Sequence, residues 1–160
     1  MTFGEAIMTT TGAKTKNRRV ERALKNFGQG FNCAQAVLSA YSRELGLGTE
    51  AGHRVSQAFG AGMARLAGTC GAVTGGLMVI GLKYGKTKAA DDAAKEKTYA
   101  LAQELVRRFR RRQGSLTCLG LLGHHIGTAR GMKILKKTNA HATVCPRYVR
   151  HVVLILEKIL

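Results

Sequence analysis

Tryptophan is missing from this chain, proline occurs once, and the aromatic residues are limited to four tyrosines and five phenylalanines. Strands favour aromatic and β-branched residues. No run of useful length alternates apolar and polar positions, so a sandwich or barrel is excluded. Glycine and alanine are plentiful, and 45% of residues are apolar. That is enough for the core of one helical domain of 160 residues. No internal repeat is present.

Carboxylates are also scarce. Nine Asp and Glu face 26 Lys and Arg, giving a formal charge of +17, and no acidic residue lies between Leu105 and Leu156. Paired-carboxylate catalysis has no material in the C-terminal half, and no Ser-His-Asp set is suggested. The excess of cations predicts an anionic partner: nucleic acid, anionic lipid, an acidic protein or an anionic cofactor. Its densest part is Arg107 to Arg112. This run reads first as a solvated helix end complementing the C-terminal dipole, and second as a phosphate-binding patch. No aromatic stacking platform accompanies it, so the nucleic-acid signal is weak.

Long apolar runs are absent too. The longest uncharged stretch, Leu66 to Leu82, contains five glycines, two threonines and a cysteine. It falls short of the roughly 20 apolar residues of a bilayer crossing and is expected to be a buried helix. The start, MTFGEAIMTTTG, shows no basic region followed by an apolar stretch. The expectation is a cytoplasmic protein, where thiols stay reduced and permanent disulfides are disfavoured. Gly60 and Gly62 form a G-x-G without a dinucleotide fingerprint and read as a turn.

The helical reading is specific. Residues 1–13 read as a flexible tail and 14–160 as a single domain. Helices are expected over about Lys16 to Phe27, Asn32 to Leu45, Glu50 to Phe59, Thr69 to Tyr84 and Lys88 to Arg112. A short segment carries Cys118, one helix lies near Arg130 to Lys137, and the last begins at Pro146. The Thr69 to Tyr84 segment is apolar on every side, which places it at the centre of an all-α multi-helix bundle.

The four cysteines, Cys33, Cys70, Cys118 and Cys145, are 37, 48 and 27 residues apart, and no C-x-x-C pair occurs. Zinc-ribbon and thioredoxin patterns are therefore excluded, and a joint site must be assembled by the fold. Each cysteine stands at a predicted helix start, after Asn32, Thr69 or Thr117 or before Pro146. Helix starts offer unpaired N–H groups and a partial positive charge, which stabilise thiolate and predict lowered thiol pKa values. The alternative is four buried cysteines acting as small apolar residues.

Five blocks fall in order along the sequence: Phe31 to Val37 around Cys33, Phe59 to Met63, Thr69 to Gly85 opening with Cys70-Gly71-Ala72, Gly114 to Gly123 around Cys118, and Val144-Cys145-Pro146. Together they resemble the C-GCAxxG-C-C family, a group assigned to redox chemistry without a defined substrate. The match covers about residues 18 to 160, and all four cysteines occupy the family's positions, with Gly71, Ala72 and Gly75 completing its central motif. The resemblance implies a small helical protein whose cysteines do thiol or metal redox chemistry, as an oxidoreductase or an electron carrier. Without C-x-x-C-H, covalent haem is not expected.

Two chemistries are open. Four converging thiolates can hold a [2Fe–2S] cluster, zinc or another metal such as iron. Alternatively, two dithiols cycle between reduced and disulfide forms. In the metal reading Arg65 or Arg147 would offset cluster charge, Gly71 would bring backbone close to sulfur, and Gly75 would serve helix packing. Gly71, Ala72 and Gly75 are the candidate cofactor-binding positions. His124, His125, His141 and His151 lie near Cys118 or Cys145 in sequence, with His124 the first candidate for an extra ligand. A redox partner and a homodimer are the remaining partner expectations. The class-level alternative is a non-catalytic basic binding module whose cysteines are structural or hold structural zinc.

Overall fold

The structure, a computed structural model, describes residues 18–160. The expected tail lies outside them. Among the described residues the chain is all-α, and its one β feature is an isolated antiparallel bridge between Thr69 and Thr117. Helix α1 covers residues 18–28. It is followed by α2 (Cys33–Ser42), α3 (Thr49–Ser56), the short α4 (Gly60–Ala64) and α5 (Gly71–Tyr84). The remainder is α6 (Asp92–Gln113), α7 (Cys118–Leu122), α8 (Ala129–Thr138), α9 (Ala140–Thr143) and α10 (Cys145–Ile159). No described helix is long and apolar enough to cross a membrane.

Local chemistry explains several of these boundaries. Asn32 and Gln35 form a capping box at the start of α2, each side chain accepting the other residue's backbone N–H. Thr117, Thr128 and Asp91 cap α7, α8 and α6 through their side-chain oxygens. Gly114 closes α6 in the left-handed conformation, as a C-terminal glycine commonly does.

Helix α5 is the centre of the bundle. Residues Gly71 to Gly76, Val79 and Ile80 are all buried. Its glycines let helices approach on both sides. A Cβ on Gly75 would sit 2.8 Å from the Ala34 carbonyl oxygen of α2. One on Gly76 would meet Leu105 of α6 and Val152 of α10, each at 2.8 Å. Around this axis Leu38, Phe109, Val149 and Leu156 complete an almost solvent-free core. The far end of α10 is fixed by an ion pair: Glu157, with a side chain 5% exposed, accepts from Arg19 and from the Tyr41 hydroxyl, each at 2.8 Å.

Three details differ from the sequence reading. The central helix begins at Gly71, and Cys70 is itself its N-cap; Thr69 is drawn into the bridge with Thr117 instead of capping. The least patterned stretch, residues 123–143, contains α9 as well as α8. The Gly60-Ala61-Gly62 turn is a left-handed helical turn, with φ between 53° and 67° from Ala61 through Arg65. Four of those five residues carry a Cβ, for which this conformation costs roughly 1–2 kcal/mol each. Hydrogen bonds from Arg65 N–H to Ala61 O (3.1 Å) and from Gly68 N–H to Gly62 O (2.8 Å) hold the turn.

Candidate functional site

The fold brings all four cysteines to one cavity of about 240 Å³. Cys33, Cys118 and Cys145 are the first residues of α2, α7 and α10, and Cys70 caps α5. Each is at most 8% exposed. The bridge between Thr69 and Thr117 explains how two of them meet. Cys70 N–H donates to Leu116 O and Cys118 N–H to Gly68 O, both at 2.7 Å, so the two helix starts are laced side by side. The left-handed turn closes over them. Gly62 lies so near Cys118 that a Cβ there would come within 2.7 Å of the Cys118 Cβ. Leu121, Leu122, Ile126, Met132 and Leu135 supply the apolar wall, while Arg65, His141 and Tyr148 contribute its polar edge.

Burial and neighbouring sulfurs set the acidities. Cys33 and Cys145 line the same cavity, and each shifts the other's acidity. Interaction with the Cys145 thiol, followed by burial, holds the Cys33 thiol well above its ordinary 9.0. The same interaction lowers the pKa of Cys145 and outweighs burial there. Burial pushes Cys70 up to about 12, although the amides of Ala72 and Val73 pull the other way. It pushes Cys118 up to about 11, aided by the Cys145 charge. Every helix start is expected to lower its thiol; only Cys145 is lowered, and there the Cys33 thiol is the leading cause. At Cys70 and Cys118 desolvation of the charged form exceeds the pull of the helix terminus, and at Cys33 the neighbouring Cys145 leads.

The remaining candidates separate. Gly71 lines the cavity, and a Cβ there would come within 3.0 Å of the Cys33 Cβ. Ala72 is fully buried and reaches the site through its amide. Gly75 lies a turn further along α5, where it packs on Ala34 and Val37. His124 and His125 are not in the cavity wall; His125 accepts from Gly127 N–H through Nδ1 in a local turn. His141 is the histidine at the cavity, stacked on Phe27 with ring centroids 4.7 Å apart. Spacing along the chain favoured His124 because it follows Cys118 closely. Nothing in the sequence showed that α9 would turn His141 back toward α1. Of the two cations singled out, Arg65 lines the cavity and Arg147 faces a groove elsewhere.

Four thiols are a suitable donor set for zinc or an iron–sulfur cluster. As the side chains stand, no three His, Cys, Asp or Glu residues among those described are spaced to close on one metal ion. A single zinc ion would require the sulfurs to draw together. A multinuclear cluster separates its ligands more widely. A disulfide needs only two of the sulfurs to meet, and Cys33 and Cys145 face the same cavity.

Comparison with curated proteins finds no match, and neither does comparison with solved structures. A family model described as "Putative redox-active protein (C_GCAxxG_C_C)" matches residues 31–159, a span holding every cysteine of the cavity. The chain belongs to the C-GCAxxG-C-C family.

Proposed function

We propose that this protein is a thiol–disulfide redox protein in which Cys145 is the attacking thiolate and Cys33 its partner. The observation that carries the reading is that both thiols line one cavity and their interaction drives their acidities apart. Groups that share a site and are split in this way take different roles. Cys145 is the thiol most readily ionised near neutral pH, and thiolate is the nucleophile in disulfide exchange.

In the proposed cycle the Cys145 thiolate attacks a sulfur of a small disulfide that enters the cavity. The substrate S–S bond breaks, one substrate thiolate leaves, and a mixed disulfide remains on Cys145. Cys33 loses its proton, attacks the Cys145 sulfur and displaces the second substrate thiolate. The protein has then lost two electrons and gained a Cys33–Cys145 disulfide, while the substrate has become two thiols. Arg65 at the cavity edge favours the transient thiolates. Cys70 and Cys118 form the second dithiol and are slower to ionise because of their burial.

The test is to map disulfides by mass spectrometry after mild oxidation and to follow alkylation of the reduced protein against pH. A Cys33–Cys145 link is expected, with Cys145 alkylated fastest near neutral pH and that advantage lost in Cys33→Ala. Oxidation that pairs other cysteines, or Cys145 reacting no faster than Cys118, would overturn the proposal.

A second reading has its own support, because all four cysteines ring one cavity. They would hold an iron–sulfur cluster or another metal, supplying one-electron transfer or structural bracing. Anaerobic purification with metal analysis and a visible spectrum distinguishes the two. Stoichiometric iron with sulfide-to-iron charge-transfer bands selects the cluster, and a colourless, metal-free protein with exchange activity selects the dithiol.

A further inference from the structure

Away from the thiol cavity, the C-terminal part of α6 and one face of α10 enclose a second kind of site. Along α10 the stripe Arg147, Arg150, His151, Leu154 and Lys158 follows helical spacing, and all five line a groove of about 400 Å³. Arg112 and Gln113 form the opposite wall. An adjoining hollow of about 330 Å³ shares Arg112, His151 and Lys158 and adds Arg108 and Arg111. Sequence alone showed only the arginine run of α6. The fold places α10 cations, up to 46 residues further along, against it.

The groove is unneutralised. Glu104 is engaged by Arg107 and Arg108, and Glu157 by Arg19, while Arg111, Arg112, Arg147, Arg150 and Lys158 form no ion pair among the described residues. Five cations held together without counter-charge attract an anion of high charge density. The groove also carries an oriented donor. Gln113 Nε2 lies 2.9 Å from His151 Nδ1, and with the amide donating, the imidazole N–H is on Nε2. Stacking on Phe109 fixes the ring plane.

Shape and surroundings narrow the ligand. From Arg147 to Lys158 the α10 stripe rises only about 16 Å, and the cations face one another across a hollow instead of lying on a flat surface. Among the described residues no Phe, Tyr or Trp lines the groove for base stacking; Phe109 is fully buried. None of the exposed large apolar side chains, Val55, Met63, Leu66, Tyr99 and Leu119, lines the groove, as an interfacial membrane contact would require. We infer that the α6–α10 groove is a binding site for a short, multiply charged phosphate chain, either an inorganic oligophosphate or the phosphate tail of a small molecule.

The test is isothermal titration of the full chain with inorganic tripolyphosphate at two salt concentrations. Nucleoside triphosphate, a mixed-sequence single-stranded oligonucleotide and anionic phospholipid vesicles are run as separate arms. One-site binding of tripolyphosphate is expected, weakened by salt and reduced at least fivefold by Arg150→Gln and by Lys158→Gln. Arg54→Gln, on the exposed face of α3, leaves it unchanged. Tighter binding of the nucleoside triphosphate assigns the site to the tail of a small molecule, and equal binding assigns it to phosphate alone. Absence of saturable tripolyphosphate binding, equal loss in Arg54→Gln, or stronger binding of oligonucleotide or vesicles would overturn the inference. Cysteine alkylation in the groove variants reports on the thiol proposal separately, because Cys145 and Tyr148 face the other cavity.

Discussion

Cys70 shows how one atom balances two environments. It caps the central helix α5, where the amides of Ala72 and Val73 favour thiolate, yet desolvation wins and the thiol stays protonated up to about 12. An acid whose folded pKa lies above its unfolded value contributes stability that is fully present below the unfolded pKa. That contribution is lost as pH rises through the folded one. For Cys70 the window runs from the ordinary 9.0 to about 12. Within it the unfolded chain releases a proton that the folded chain retains, so stability falls by about 1.4 kcal/mol per pH unit for each such thiol. Lysines and tyrosines titrate in the same range, so the useful quantity is a difference. Urea unfolding between pH 8 and 10.5 should show a shallower loss in Cys70→Ala than in the parent, although the variant is less stable at pH 8. Parallel curves would mean that Cys70 ionises in the fold as freely as in water.

Helix α5 makes a prediction of opposite signs from chemically identical changes. At Gly75 an added methyl meets the backbone of α2, with Ala34 O at 2.8 Å and Ala34 Cα at 3.0 Å, and neither can move without shifting the helix. Overpacking of this kind costs roughly 1–3 kcal/mol. At Gly81 nothing lies within 4 Å, so alanine there gains helix propensity of about 0.5–1 kcal/mol. Thermal or urea unfolding of Gly75→Ala and Gly81→Ala should therefore move in opposite directions. The same helix shows what could be read in advance. Its all-round apolar character and its end at Gly85 were visible because they are local properties of composition and backbone freedom. The helix-start position of each cysteine was visible for the same reason, whereas their convergence was an expectation that only the fold could meet. The left-handed turn at Ala61 to Arg65 was hidden, because residues with a Cβ rarely adopt it and only the surrounding structure enforces it. Also hidden were the raised thiol pKa values and the place of His141, since burial and long-range packing determine both. The opposed cations of α6 and α10 belong with them: the sequence shows the arginine run of α6, and packing of α10 against α6 makes it one wall of a groove.

At the scale of the molecule, the proposed disulfide would link the first residue of α2 to the first residue of α10, 112 positions apart. A cross-link stabilises chiefly by restricting the unfolded chain, and a loop of this length corresponds to about 4.7 kcal/mol in the chain-entropy estimate. The fold already brings both cysteines to one cavity, which limits the rearrangement that offsets that gain. Folding and oxidation are then linked: whatever the disulfide adds to stability, the fold adds to the disulfide's resistance to reduction. Urea unfolding of oxidised and reduced protein should show the oxidised form more stable by up to that amount. The difference should vanish in Cys33→Ser and persist in Cys118→Ser. The reduction potential, measured against glutathione buffers, should be lower for the native protein than for the chain unfolded in urea, by the free energy that the disulfide adds to stability. Equal potentials for the native and unfolded chains, with no stability difference between redox states, would mean that the four thiols do not join α2 to α10.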